Sequence, residues 1–144
     1  MQLSQREFGA KSGLPRILAV MGSGETSPTM VTPHQQIFAR LGRPGEVPAV
    51  LLDTPFGFQE NADILTGRLV DYFRDSVGVT VDPAVLRRGD QSPASVGEAI
   101  AAVSQASWVF AGPGSPSYAL AVWRATGMRP HLDEVLTRGA LVLA

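Results

Sequence analysis

Short apolar runs alternate with longer amphipathic stretches along the chain from residue 16 onward. Apolar runs with strand-type residues occupy 16–21, 47–52, 79–86, 107–111 and 140–144. Between them, apolar side chains recur at helical spacing, as with Leu65, Leu69 and Phe73 in the stretch 59–76. Strands that are apolar on both faces and alternate with helices indicate a parallel sheet covered on both sides. The pattern predicts a three-layer, doubly wound α/β fold with a mostly parallel sheet of the flavodoxin-like type.

Helix boundaries follow from a few polar, proline and glycine positions. Thr-Pro at 32–33 and Ser-Pro at 92–93 each predict an N-cap followed by the first helical residue, and Gly42 predicts the end of the first of these helices. A capping box over 95–98 is the alternative for the second helix start. Two further helices are expected over 116–126 and 130–138.

Composition narrows the class of protein. The 144 residues are 44% hydrophobic and 17% charged, which is typical of one soluble globular domain. We expect a loose arm over 1–14 and a single domain over 15–144. A net charge of −1 gives no reason to expect nucleic acid or a membrane as a partner. The absence of cysteine excludes thiol chemistry and disulfides, and it suits a cytoplasmic protein.

Unusual residues collect in three loops that follow predicted strands, at the edge where parallel α/β sheets bind ligands. These loops are MGSGETSP (21–28), DTPFGFQEN (53–61) and GPGSPS (112–117). The candidate substrate-binding residues are Ser23, Glu25, Thr26, Thr54, Gln59, Gly112 and Ser115. The alternative is structural: the first loop only connects strand to helix, Asp53 or Thr54 caps a turn, and Phe56 and Phe58 fix the second loop to the core.

Cofactor and metal sites have little support in the sequence. The first loop lacks the third glycine of a dinucleotide fingerprint, and no Gly-Lys-Ser/Thr P-loop occurs, so a nucleotide-binding Rossmann domain is a minor alternative. His34 and His131 are the two imidazoles, and each is expected in an ordinary surface or capping role. We therefore predict neither a cofactor nor a metal.

The turn after the fourth predicted strand carries the strongest local signal. Its glycines permit close approach or positive φ, and Pro113 and Pro116 restrict the loop. The N–H groups of Gly114 and Ser115 at the entrance of the next helix suit a developing negative charge. The alternative is a rigid connector without a ligand.

The stretch VFAGPGSPSYAL (109–120) resembles the glycine-rich turn of the class I glutamine amidotransferase-like fold, and more narrowly the peptidase E and cyanophycinase branch of serine hydrolases. The resemblance covers most of 16–144. It implies acyl transfer to a serine and hydrolysis of an amide or peptide bond, with Gly114 in the oxyanion hole and a small peptide or amino-acid-like substrate. Pro113, Ser115 and Pro116 depart from the family pattern, which leaves the substrate open.

The resemblance also implies that the nucleophile and its His and acidic partners lie at or beyond Ala144. We therefore expect residues 1–144 to be the N-terminal part of such a protein, incomplete after its last strand and inactive alone. An open sheet edge or face would then favour a homo-oligomer. The alternative from a different class is a non-catalytic module that binds a small ligand on the same fold.

Overall fold

Five parallel strands form the centre of the part of the chain that the structure describes. The structure, a computed structural model, describes residues 16–22, 24–43 and 45–144; the predicted arm over 1–14 and the candidate residue Ser23 lie outside these ranges. The strands lie in the spatial order β1-β5-β4-β2-β3. They are β1 (Ile17–Val20), β2 (Ala49–Leu52), β3 (Asp82–Ala84), β4 (Trp108–Ala111) and β5 (Ala140–Leu143). Each lies within the apolar run that predicted it.

In the described ranges, five α-helices connect the strands: α1 (Val31–Leu41), α2 (Ala62–Tyr72), α3 (Pro93–Gln105), α4 (Pro116–Thr126) and α5 (Arg129–Val135). Short 3-10 turns occupy Pro28–Met30 and Thr54–Phe56, and a π-helical turn, Phe73–Val77, extends α2. The N-cap of α3 is confirmed, since Ser92 Oγ accepts the Ser95 N–H at 3.2 Å. The predicted start of α1 is wrong: the first 3-10 turn runs directly into the helix at Val31, so Thr32 is already helical.

Alternating strand residues feed two apolar layers. Ala49 and Leu51 point to the face covered by α1 and α2, whereas Val50 and Leu52 point to the face covered by α3, α4 and α5. Large aromatic residues fill the first layer: Phe38, Phe56, Phe73, Trp108 and Phe110. The three-layer, all-parallel α/β fold predicted from the hydrophobic pattern is confirmed.

β1 departs from the expectation of a strand buried on both faces. Ile17 is buried, but Leu18 and Val20 are 58% and 75% exposed. The parallel register places Leu18 beside Leu141 of β5, so both exposed residues lie on the α3–α5 face. β1 is the edge strand next to β5, and the apolar layer under α3–α5 does not include these two residues.

The strand order fixes where a ligand site is expected. The chain passes from β2 to β3 on one side and then crosses to β4 on the other side of β2. The loops after β2 and β4 therefore leave neighbouring strands in opposite directions, and the crevice between them is the topological switch point of the sheet. Without β1, the order 3-2-4-5 corresponds to the flavodoxin-like arrangement, while β1 adds a parallel edge strand. No helix in the described ranges is long and apolar enough to cross a membrane.

Candidate functional site at the sheet switch point

The turn after β4 and the 3-10 turn after β2 are joined through their backbones. The Ser115 N–H donates to the carbonyl oxygen of Pro55 at 2.8 Å, and the Gly112 N–H donates to that of Leu52 at 3.3 Å. These bonds continue the β2–β4 pairing past the ends of both strands. The two loops that sequence reasoning assigned to one sheet edge are thus in direct contact.

The two glycines of this turn are needed for that contact. A Cβ at Gly112 would lie 2.5 Å from Cε1 of Phe56, and a Cβ at Gly114 would overlap the carbonyl of Pro55. Gly114 also has a φ of 152°, which residues with a side chain rarely adopt. The close approach that the glycines permit is therefore made by the chain's own β2 loop.

The backbone N–H groups of the turn have different roles. Those of Gly112 and Ser115 are used within the fold, whereas that of Gly114 donates no hydrogen bond within the described part of the chain. Gly114 is also exposed. Ser115 Oγ accepts the Tyr118 N–H at 3.1 Å and so caps α4, which accounts for that hydroxyl. Among the described residues, the N–H of the exposed Gly114 thus has no partner, one residue before the N-cap of α4 and beside the switch point.

A buried carboxylate fixes the loop after β2 to the loop after β3. Asp53 is fully buried; its Oδ1 accepts the Leu86 N–H at 2.8 Å and its Oδ2 accepts Arg87 Nε–H at 2.7 Å. Arg87 Nη2 donates to Asp63 Oδ1 at 2.6 Å. Desolvation opposes the charge of Arg87, but the hydrogen bonds to both carboxylates outweigh it and raise the guanidinium pKa. Sequence reasoning missed Arg87, because nothing local in the sequence links it to Asp53, 34 positions earlier.

The capping role given as the alternative for Asp53 or Thr54 is wrong, since no described side chain caps the 3-10 turn Thr54–Phe56. Thr54 is fully buried, and its Oγ1 has no partner in the ranges described. Phe56 is buried in the core, as expected. Phe58 is instead 54% exposed, and its ring contacts that of Tyr118 edge to face, with centroids 5.2 Å apart. Gln59 follows it and is half-buried.

The loop after β1 is bound to the helices of the first layer. His34 Nε2–H donates to the Glu25 carbonyl at 2.8 Å, and Tyr72 Oη–H donates to the Ser27 carbonyl at 3.0 Å. Glu25 is buried and Thr26 is half-buried. Among the described residues, no hydrogen bond or ion pair joins 24–27 to the turn 112–115. The structure thus gives the β1 loop no bonded contact with the site formed by the β2 and β4 loops.

The surface or capping role expected for His34 is wrong. Its side chain is fully buried, its ring contacts Phe73 edge to face at 4.9 Å, and Nδ1 has no partner in the described part of the chain. Burial lowers the pKa of His34, although the carbonyl and carboxylate of Glu25 act in the opposite direction. His34 is therefore a neutral core residue that holds the β1 loop. His131 is half-buried and lies 3.3 Å from the Ser104 hydroxyl.

A mostly apolar cavity of about 430 Å³ lies elsewhere, at the amino-terminal edge of the sheet. Its wall includes Phe38, Ala39, Val47, Val77 and Val79. These residues come from the end of α1 and from the segments that lead into β2 and β3. The cavity is thus on the opposite edge from the switch point, and none of the predicted site residues lines it.

Comparisons with known proteins agree with this fold. No family model and no curated protein matches the chain. Among solved structures, it is similar to the crystal structure of a peptidase from an acI-B1 Actinobacterium, with a TM-score of 0.61 and 18% sequence identity. The alignment covers 88% of this chain and 52% of that peptidase, so the chain spans about half of the peptidase's length. At this identity the likeness establishes a shared α/β fold.

Proposed function

We propose that this chain is the N-terminal portion of a serine-dependent hydrolase of amide or peptide bonds, of the peptidase E and cyanophycinase type. In this proposal the Gly114 N–H binds the oxyanion that forms when a serine attacks the substrate carbonyl. The nucleophile and its His and acidic partners lie outside residues 1–144, and the described chain alone is inactive. The loop after β2 forms the neighbouring wall with the half-buried Gln59 on it, whereas the fully buried Thr54 does not line this wall.

The state of the Gly114 N–H is the observation that carries the proposal. Gly112 and Ser115 use their N–H groups on the β2 strand and loop, but the N–H of the exposed Gly114 has no partner in the part of the chain that the structure describes. The Pro55 contact on one side and the capped helix α4 on the other hold it in place. A preorganised N–H of this kind is what stabilises a developing negative charge, because little reorganisation is required during the reaction.

The position of the turn and the fold comparison support the same reading. The turn lies at the carboxyl ends of β2 and β4, where open α/β sheets bind their ligands. The similar solved structure is that of a peptidase. Since this chain corresponds to about half of that peptidase, a division of the catalytic groups between this portion and residues beyond it is compatible with the alignment.

Amide NMR on the 144-residue protein tests the oxyanion role. Sodium acetate, a small carboxylate, should shift the Gly114 amide in a saturable manner, while sodium chloride at equal ionic strength should not. The Gly112 and Ser115 amides serve as internal controls, since their N–H groups are already bonded. An unchanged Gly114 amide, or equal shifts at all three positions, would contradict the proposal.

Serine labelling tests the placement of the nucleophile. A fluorophosphonate probe should leave residues 1–144 unlabelled and should label a longer chain expressed from the same reading frame. Labelling of residues 1–144 would refute the proposal, because it would place a reactive serine within this portion.

The apolar cavity favours one other candidate, a non-catalytic module that binds a small ligand. Its volume of about 430 Å³ falls in the range of small-molecule sites. This alternative predicts thermal stabilisation of residues 1–144 by small apolar compounds and no labelled serine in any longer chain. The nucleotide-binding alternative has less support, since β1 and its glycine-rich loop lie at the sheet edge and not at the switch point.

A further inference from the structure

A pair of aromatic side chains lies beside the candidate oxyanion donor. Phe58 is two residues beyond Phe56, whose backbone N is among the atoms nearest to Gly114. Tyr118 lies in the first turn of α4, just after Ser115. The Phe58 and Tyr118 rings meet edge to face with centroids 5.2 Å apart. An exposed aromatic surface therefore connects the β2 loop to the start of α4.

The Tyr118 half of this pair is fixed at both ends. Its backbone N–H is bound by Ser115 Oγ, and its hydroxyl donates to the carbonyl of Arg87. Arg87 in turn packs on Gly57, where a Cβ would lie 2.7 Å from the Arg87 Cα. The Phe58 ring rests on this fixed ring and remains 54% exposed. A rigid, half-exposed aromatic surface loses little entropy when an apolar group binds to it.

Charges around the pair disfavour an anionic ligand. Tyr118 bonds the backbone carbonyl of Arg87, and the guanidinium of Arg87 is already bonded to two carboxylates, those of Asp53 and Asp63. Glu60, two residues after Phe58, is an exposed carboxylate. The exposed Arg88 faces Asp90 at 3.4 Å, which adds no net charge. Three carboxylates against one guanidinium leave the surroundings of the Phe58 ring negative, so a carboxylate on a side chain that packs on this ring would be repelled, whereas an oxyanion at Gly114 meets an N–H donor.

We propose that Phe58 and Tyr118 select substrates whose acyl residue carries an apolar or aromatic side chain, and that they discriminate against acidic side chains. The inference rests on the proposed function, since the acyl residue is the one whose carbonyl would meet the Gly114 N–H. The substrate side chain would pack on the exposed Phe58 ring, and Tyr118 would hold that ring in place.

Amino-acid amides serve as probes that do not require activity. N-acetyl-phenylalaninamide, titrated into the 144-residue protein, should shift the amides of Phe58, Gly114 and Tyr118. It should bind at least about tenfold more tightly than N-acetyl-aspartate amide, which brings a carboxylate to a negative surface. Phe58→Ala should weaken binding of the phenylalanine probe about two- to tenfold, the range for one aromatic contact. Phe58→Tyr should retain it.

Leu18→Ala is the matched control, because Leu18 is similarly exposed (58%) but lies on the edge strand β1. Its binding of the phenylalanine probe should equal that of the unmodified protein. Equal affinity for both probes, or no effect of Phe58→Ala, would overturn the inference. The acetate response of the Gly114 amide is measured separately. If acetate still shifts this amide but the phenylalanine probe is not preferred over the aspartate probe, only the inference about Phe58 and Tyr118 is refuted. A missing acetate response refutes the proposed function itself.

Discussion

The buried imidazole of His34 should make the stability of this protein fall between neutral and mildly acidic pH. In the folded chain Nε2–H donates to the Glu25 carbonyl, and Nδ1 has no acceptor among the described residues. A second proton on Nδ1 would be buried without a partner beside aromatic rings. Burial accordingly lowers the folded-state pKa below its ordinary value of 6.5.

The magnitude and sign of this change in the free energy of unfolding follow from proton linkage. Above pH 6.5 both the folded and the unfolded chain carry a neutral imidazole, and the full stability is present. As the pH falls below 6.5, the unfolded chain takes up the proton first, so the free energy of unfolding decreases until the pH passes the folded-state pKa. If the folded chain remains unprotonated at pH 5.5, the loss relative to pH 7.5 reaches about 1.4 kcal/mol.

Urea unfolding at pH 7.5 and 5.5, followed by tryptophan fluorescence, measures this loss. In the unmodified protein and in His131→Gln, protonation of His34 in the unfolded chain should lower the free energy of unfolding by up to about 1.4 kcal/mol between pH 7.5 and 5.5. Any contribution of the carboxylates adds to this decrease. In His34→Gln, the decrease in the free energy of unfolding between pH 7.5 and 5.5 should be smaller by this same amount, because the imidazole is gone. At pH 7.5 this variant should be less stable than the unmodified protein by about 1–3 kcal/mol, because the bond to the Glu25 carbonyl is weakened. An identical pH-dependent loss in all three proteins would refute the assignment of a buried, neutral His34.

Four further predictions concern stability and association. Gly97→Ala should raise the free energy of unfolding by about 0.5–1 kcal/mol, because its Cβ would enter open space in a helix. Gly112→Ala should lower the free energy of unfolding by about 1–3 kcal/mol, because its Cβ would overlap the Phe56 ring. Urea unfolding of both variants tests these two predictions. Asp53→Asn should lower the free energy of unfolding by about 2–3 kcal/mol in the same assay, since it breaks the ion pair between the buried Asp53 and the partly exposed Arg87. We propose that the exposed side of β1 supports the expected self-association: Val20→Lys should then change the free energy of unfolding by less than about 0.5 kcal/mol and reduce concentration-dependent self-association in sedimentation velocity, because a charge disfavours pairing at an open sheet edge. Unmodified protein that does not self-associate, or a variant that sediments in the same way, would contradict this role for β1.

Most of the fold was accessible from the hydrophobic pattern. Strands such as β2 and β4 are continuous apolar runs because both of their faces are buried, and this property is local to the sequence. β1 has the same composition but lies at the sheet edge, and a linear pattern cannot distinguish an edge strand from a central one. The start of α1 was misplaced for a related reason: a 3-10 turn before the helix removes the need for a side-chain cap at Thr32.

The candidate site was only partly accessible. The loops after β2 and β4 were correctly assigned to one edge, since parallel strands must end together. The Asp53–Arg87 pair was not, because an ion pair across 34 positions leaves no local trace. His34 was misjudged because a lone histidine in a first helical turn reads as a surface residue, and only the packing of three neighbouring rings buries it.

The glycine-rich turn shows why residue types alone are weak evidence for a ligand site. Gly112 and Gly114 suggested an approaching ligand, but the structure explains both glycines by contact with Phe56 and Pro55 of the chain itself. The proposed function therefore depends on a different property: within the described ranges, the Gly114 N–H has no partner, whereas those of Gly112 and Ser115 are bonded. A packing role for the glycine and an anion-binding role for its N–H are compatible, because the contact that requires the glycine also holds that N–H in one orientation. Substitution of Gly114 would disturb both at once, so the amide response to acetate is the measurement that separates them.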